Sequence, residues 1–324
     1  MARVRAVEVS EAGGPEVLRV VDLPTPEPGP GEVLVDVAAA GVNFIDIYRR
    51  AGVYPMKTPF VAGSEGAGTV RQVGAGVTDV NVGDRVGWKD TIGSYAQQVV
   101  VPAAEAIGVP DGVSEEAAAS VLLQGMTAHY LATSTYPVRP GDWTVVHAAA
   151  GGVGLLLTQI IKLRGGHVLA TTSTPEKAEL ARGAGADEIA SYDNFVERAR
   201  ELTGGEGVAV VYDGVGKATF DRGLDALRVR GTMALYGGAS GPVSPFDPQI
   251  LNAKGGLFLT RPSLGHYTRD RAELLQRAED LFGWIRDGRL DVRIGGRYSL
   301  DDAARAHADL AARRTTGKLV IDTR

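Results

Sequence analysis

The chain has 324 residues, enough for two domains with separate cores, and its 44% hydrophobic and 23% charged residues are the balance of an ordinary globular protein. A net charge of −5 offers no general attraction for nucleic acid or an anionic membrane, and no apolar run approaches the ~20 residues of a membrane span. The absence of cysteine excludes disulfides, thiol nucleophiles and thiolate metal ligands.

The N-terminus passes directly into strand-like alternation, Arg3-Val4-Arg5-Ala6-Val7-Glu8, without a signal-peptide core, so a cytoplasmic location is expected. Residues 1–23 predict strand, turn and strand around Glu11-Ala12-Gly13-Gly14-Pro15. Pro24, Pro26, Pro28 and Pro30 predict an extended connector. Glu32 to Ala40 predicts an apolar strand ended by Gly41, and Asn43 caps a short predicted helix, Phe44 to Ala51, with Asp46 in its first turn. Short strands punctuated by Gly63, Gly66, Gly68, Gly74, Gly76 and Gly83 then predict a small β-barrel. Two helices are expected next, at about Ser114 to Leu123 and Gly125 to Thr133.

From Trp143 the pattern becomes strict alternation. Strands near 143–148, 166–172, 187–191, 208–212, 231–236 and 256–260 alternate with helices starting near 152, 175, 193 and 217. This predicts an α/β fold with a doubly wound parallel sheet of six strands. A long helix, Arg269 to Asp287, a strand near Val292 to Tyr298, a helix from Asp301 to Arg313 and a strand from Lys318 to Asp322 fit no βαβ continuation. They are expected to return to the N-terminal domain, giving boundaries of 1–124, 125–264 and 265–324, with the middle segment inserted.

The stretch that organises the chain is Val145-Val146-His147-Ala148-Ala149-Ala150-Gly151-Gly152-Val153-Gly154. An apolar strand runs through small residues directly into an apolar helix, so a dinucleotide pyrophosphate can lie on free backbone N–H groups at the helix N-terminus. The fingerprint G-x-G-x-x-G reads here as Ala149-x-Gly151-x-x-Gly154. The next strand ends Thr171-Thr172-Ser173-Thr174-Pro175 with no carboxylate before Glu176, so no acid awaits a ribose 2′-hydroxyl. A 2′-phosphate would instead meet hydroxyls and Lys177, which points to NADPH. The five histidines, at 129, 147, 167, 266 and 307, lack metal-pair spacing. His147 is expected to be packed and hydrogen-bonded, the other four to sit at surface or helix-face positions.

With these elements placed, the chain resembles the medium-chain dehydrogenase/reductase superfamily, in which a GroES-like, β-barrel-like catalytic domain flanks an inserted Rossmann domain. Within it, the chain is similar to the zinc-free quinone oxidoreductases. The motifs that carry this are Ala39-Ala40-Gly41-Val42-Asn43-Phe44-Ile45-Asp46, Gly63-Ser64-Glu65-Gly66-Ala67-Gly68, Leu123-Gln124-Gly125-Met126-Thr127-Ala128, His147 to Gly154, and Thr260-Arg261-Pro262-Ser263. The alcohol dehydrogenase branch places a zinc-binding Cys near the Asn43 position and a Gly-His-Glu motif where Gly63-Ser64-Glu65 stands. Both ligands are gone, and Glu65 reads better as a structural hydrogen-bonding residue. A simple alkoxide would have no Lewis acid, whereas a quinone accepts hydride without one.

The resemblance implies that Asn43, Tyr48 and Tyr54 border the nicotinamide and substrate. It implies cofactor contacts at Asn43, Phe44, Thr127, Gly151, Gly152, Val153, Gly154, Ser173, Lys177, Tyr192, Gly214, Tyr236, Gly237, Gly238 and Ala239, with Arg261, Ser263 and Arg313 completing the cleft. The plainer readings are a packed rim for the two tyrosines, a strand end for Gly237 and Gly238, and a solvated helix charge for Lys177 or Arg313. The expected function is NADPH-dependent quinone reduction without metal. A reductase of enones or enoyl thioesters on the same scaffold, or an NADPH-binding protein with a structural or RNA-associated role, stands as the alternative. The apolar segment Gly256-Leu257-Phe258-Leu259-Thr260 would form an open sheet edge, and a homodimer joined there is expected.

Overall fold

A computed structural model describes residues 2–324. In chain order it contains β1 (Arg3–Val9), β2 (Leu18–Pro24), β3 (Glu32–Val42), α1 (Phe44–Arg50), β4 (Phe60–Val61), β5 (Glu65–Val73), β6 (Arg85–Trp88), β7 (Gln98–Pro102), β8 (Ile107–Gly108) and α2 (Glu115–Tyr130). Strands and helices then alternate as β9 (Trp143–Val146), α3 (Gly152–Leu163), β10 (His167–Thr171), α4 (Pro175–Gly183), β11 (Glu188–Ala190), α5 (Phe195–Leu202), β12 (Val208–Asp213), α6 (Phe220–Ala226) and β13 (Leu227–Leu235). The chain continues through α7 (Gln249–Ala253), β14 (Phe258–Thr260), α8 (Arg271–Arg286), β15 (Ile294–Ser299), α9 (Ala303–Ala311) and β16 (Lys318–Asp322).

Two compact units result. The first combines the described residues up to Leu123 with Asp270–Gly288 and Val292–Arg324, and the second combines Gln124–Arg269 with Arg289–Asp291. In the first unit β3 is the central strand. It pairs antiparallel with β5 along one edge, and on the other edge with β7 at its start and β16 at its end. Its run Val33-Leu34-Val35-Asp36-Val37 reads as a buried strand because three elements need its two edges. Val33, Val35 and Val37 pack with Val86, Trp88 and Val101, while Ala40 and Val42 pack with Val7, Tyr95, Leu319 and Ile321.

The second unit holds a parallel six-stranded sheet in the order β11-β10-β9-β12-β13-β14. Its central strands are buried on both faces, with Val145, Leu169, Val208, Val211 and Met233 in one cluster with Phe195, Phe220 and Leu224 of the helices. The order reverses between β9 and β12, where adjacent loops leave the sheet in opposite directions and make room for a ligand. No helix among the described residues is long and apolar enough to cross a membrane.

Three local expectations need correction. The two helices expected around Gln124 are one continuous helix, α2, followed by a π-helical turn, Leu131–Thr135. Gly125 weakens a helix by about 1 kcal/mol, which the burial of Ala118, Ala119, Leu122, Met126 and Tyr130 outweighs. Second, β3 does not stop at Gly41, which pairs with both Glu65 and Val320. Third, His129 and His307 lie on helices but are buried, His307 completely.

Candidate active site

In a parallel sheet every strand ends on the same side, so the residues after the six strand ends form one rim. Gly151 to Gly154 follow β9, Ser173 and Lys177 follow β10, and Tyr192 follows β11. Gly214 follows β12, Tyr236 to Ala239 follow β13, and Arg261 and Ser263 follow β14. Thr127 alone of the second-unit candidates lies elsewhere, buried on α2.

The turn after β9 is built for close approach of an anion. No side chain caps α3, and its first backbone bond runs from Leu155 N–H to Gly151 O (2.9 Å). The N–H groups of Gly152, Val153 and Gly154 therefore precede the helical ladder. The glycines differ in role. A Cβ on Gly154 would fall 2.5 Å from Ala148 O and 2.7 Å from Ala149 Cα, and one on Gly152 would collide with the Gln124 side chain. On Gly151 it would meet only Ala148 O, at 3.2 Å. Two glycines thus serve packing, and Gly151 keeps the approach to the turn low. Ala149, in the first fingerprint position, buries its methyl fully, which explains the tolerated Cβ.

At the end of β10 the Lys177 ammonium donates to Ser173 Oγ (3.4 Å), while Thr174 caps α4 by accepting from Lys177 N–H (3.3 Å). The Glu176 carboxylate is turned to its own backbone N–H and the Thr174 hydroxyl, which lower its pKa. Tyr192 closes the neighbouring side. Its hydroxyl accepts from Ala148 N–H (3.2 Å) and its ring stacks on His147 at 5.8 Å. His147 is packed as expected, with Nδ1 at 2.8 Å from Thr171 Oγ1, and burial pushes its pKa down to about 4.

The loop after β12 is held by a carboxylate that sequence reasoning missed, and backbone bonds tie it to the loop after β13. Buried Asp213 accepts from the N–H groups of Val215 (2.7 Å) and Gly216 (2.9 Å) and from the Thr219 hydroxyl (2.8 Å). Its backbone carbonyl accepts from Tyr236 and Gly237 N–H, and Gly214 O accepts from Ala239 N–H. A Cβ on Gly237 would lie 2.6 Å from Gly214 O. The legible signal was an acid ending an apolar strand immediately before Gly214-Val215-Gly216. Arg261 is exposed and donates to Pro262 O, and Ser263 opens a 3₁₀ turn at Leu264–Tyr267.

In the first unit the candidates gather at α1. Asn43 caps α1 as expected, and with Asp46 it forms a reciprocal capping box. The Asn43 amide donates to Glu65 Oε2 (2.9 Å) and accepts from Lys318 Nζ (2.8 Å). Glu65 also accepts from Leu123 N–H (2.7 Å) and pairs with Lys318, both side chains being buried. Glu65 is thus a hydrogen-bonding hub, as its sequence context suggested. Asp46, also buried, accepts from Asn43 N–H, from the Ser64 hydroxyl and from Tyr95. Burial raises its pKa to about 6 against the opposing pull of Ser64, Asn43, Lys318 and Arg49. Phe44, Tyr48 and Tyr54 form a ladder of rings, at 6.1 and 5.7 Å, with Tyr54 44% exposed. Arg313, exposed just past α9, belongs to the same unit and takes a left-handed φ of 57°.

An antiparallel GroES-like unit and a Rossmann unit carrying an uncapped glycine turn define a medium-chain dehydrogenase/reductase. Residues 29–111 match the alcohol dehydrogenase GroES-like domain, and residues 152–279 match the family described as zinc-binding dehydrogenase. Among the described residues no group of three or more His, Asp or Glu is placed to hold a metal. A quinone oxidoreductase of Pseudomonas aeruginosa is 45% identical over 98% of this chain and 99% of its own. A mycobacterial structure complexed with NADPH is 54% identical, covers 98% of this chain and 99% of that one, and superposes with a TM-score of 0.95. The Escherichia coli quinone oxidoreductase complexed with NADPH is 40% identical with the same coverage and a TM-score of 0.96. The chain belongs to the quinone oxidoreductase family, zinc-independent type.

Proposed function

We propose that the chain is an NADPH:quinone oxidoreductase that works without a metal. The observation that carries this is full-length similarity to quinone oxidoreductases, in a chain without cysteine whose Gly63-Ser64-Glu65 lacks the histidine of the alcohol dehydrogenase motif. The residues present fit the cofactor: the open N–H groups of α3 suit a pyrophosphate, and Ser173 with Lys177 suits a 2′-phosphate. NADPH, when bound, supplies the hydride. The protein's share is position and dryness. Val153, Thr127, Tyr192, Gly214, Gly237, Gly238, Arg261, Ser263, Arg313, Asn43 and Phe44 contribute cofactor contacts in this reading. Tyr48 and Tyr54 donate to a quinone oxygen, whose charge the aromatic product then stabilises, and water supplies the remaining proton. The unit formed by the described residues up to Leu123 with Asp270–Gly288 and Val292–Arg324 is the catalytic domain, and Gln124–Arg269 with Arg289–Asp291 is the cofactor domain, close to the expected 1–124, 125–264 and 265–324, in a cytoplasmic enzyme.

Steady-state NADPH consumption with quinones, enones and enoyl thioesters tests the reading. Turnover with quinones is expected, and it should survive chelation with no stoichiometric zinc in the active protein. Turnover with enones alone would move the assignment to the enone reductases. A melting shift with NADPH but no turnover on any acceptor would leave a cofactor-binding protein.

Homodimerisation belongs to the same reading. β14 is an edge strand, Phe258 on it is 61% exposed, and Val229 of neighbouring β13 is 69% exposed. Such an edge favours a partner strand. Sedimentation should give a dimer at micromolar concentration and a monomer for Phe258→Asp. A wild-type monomer would count against the interface.

A further inference from the structure

Four buried side chains that the hydride transfer does not use form a closed circuit on α1. Arg50 Nη1 lies 3.2 Å from His307 Nδ1, His307 Nε2 lies 3.2 Å from Tyr95 Oη, and Tyr95 Oη lies 3.2 Å from Asp46 Oδ2. A guanidinium only donates, so it fixes the direction of every bond in the chain. His307 accepts at Nδ1 and therefore carries its proton on Nε2. From there it donates to Tyr95, whose hydroxyl hydrogen goes to the Asp46 carboxylate. A second proton on His307 would set two donors against each other. Burial, aided by Arg50, accordingly holds its pKa down, at about 3.

Both ends of the circuit belong to one helix. Asp46 and Arg50 are four residues apart and share a face of α1, while Phe44 and Tyr48, also four apart, share the opposite face. Asp46 in addition holds the first turn through Asn43 N–H, and Arg50 Nε donates to Gly13 O (3.1 Å) beyond the last turn. A seven-residue helix has too few internal bonds to fix its own rotation. We propose that Tyr95 and His307 are positioning residues, a bracket that sets the rotation of α1 and so aims the Phe44–Tyr48 face at the reacting quinone. This rests on the reading that Tyr48 borders the substrate.

The test compares Tyr95→Phe, His307→Leu and His307→Gln at a temperature where each gives the wild-type circular dichroism spectrum. Glutamine keeps an acceptor and a donor on one planar group, and leucine keeps neither. Tyr95→Phe and His307→Leu should lower kcat with a quinone roughly tenfold, with KM for NADPH changed less than about twofold. His307→Gln should recover most of the loss. A merely structural role would lower folding stability without this split and without rescue. Wild-type kcat in the first two variants, or equal losses with glutamine and leucine, would overturn the bracket. Should the wild-type protein reduce no quinone, the functional reading fails and the bracket is read from deuterium exchange of the α1 amides. Exchange about tenfold faster in His307→Leu and Tyr95→Phe, but not in His307→Gln, supports it, and unchanged exchange refutes it.

Discussion

Lys177→Ala is expected to lower kcat/KM for NADPH by about 10- to 150-fold while leaving NADH nearly untouched. The figure corresponds to roughly 1.5–3 kcal/mol for a charge-assisted hydrogen bond. Lys177 stands in the first turn of α4 with its ammonium directed to Ser173 Oγ, at the strand end where NAD-binding sheets carry an acid. Lysine and serine together offer a phosphate one positive charge and a hydroxyl. Parallel kinetics with the two cofactors decide the matter. Equal losses, or none, would show that this lysine does not read the 2′-phosphate. Screening adds a second signature, since the NADPH advantage should shrink as salt rises.

The largest effect on stability is expected from Lys318→Met. Lys318 and Glu65 are 2% and 0% exposed, and the pair also engages Asn43. Gly41 makes the space: a Cβ there would lie 2.5 Å from Glu65 Oε2 and 2.7 Å from Lys318 Cε. Removing the ammonium leaves a buried carboxylate uncompensated, at a cost of about 3–5 kcal/mol. Arg71→Ala is the contrast, because the Arg71–Asp36 pair is 58% and 46% exposed and its loss should change stability by less than about 1 kcal/mol. Urea denaturation of the two variants checks both values. A Lys318→Met protein within 1 kcal/mol of wild type would mean that Glu65 finds other compensation. Adding Glu65→Gln to Lys318→Met should return part of the loss, since no charge then remains to be stranded.

Much of this architecture was legible because its signals are local. The alternation from Trp143 onward needs only periods of two and 3.6, and it placed six strands in a sheet that the structure orders as β11-β10-β9-β12-β13-β14. The Asn43 cap with Asp46 in the first turn spans four residues and was equally readable. Gly125 misled for the opposite reason: its local preference breaks a helix that burial of Leu122 and Met126 keeps whole. His307 was invisible as a core residue within the Ala-rich segment of α9, because its partner Arg50 lies 257 positions away. Lys318 is a parallel case, separated from Glu65 by 253 positions. Asp213 fell between these extremes, with partners only two to six residues on but an acid at a strand end having many possible uses.

The interleaved path of the first unit has a consequence for synthesis. The second unit is almost wholly one continuous stretch, Gln124–Arg269, and its sheet can assemble as that stretch leaves the ribosome. The first unit cannot close so early. The edge of β3 at Ala39–Val42 waits for Leu319–Asp322, and the charge of Glu65 waits for the ammonium of Lys318. During translation the earlier-made half therefore carries an open strand edge and an unneutralised carboxylate, the latter through 253 further additions, about 13–50 s at ordinary elongation rates. A carboxylate that keeps its water until its cation arrives opposes premature collapse and edge-to-edge pairing over that interval. The pair buried in the finished fold is thus among the last contacts that its nascent form can make.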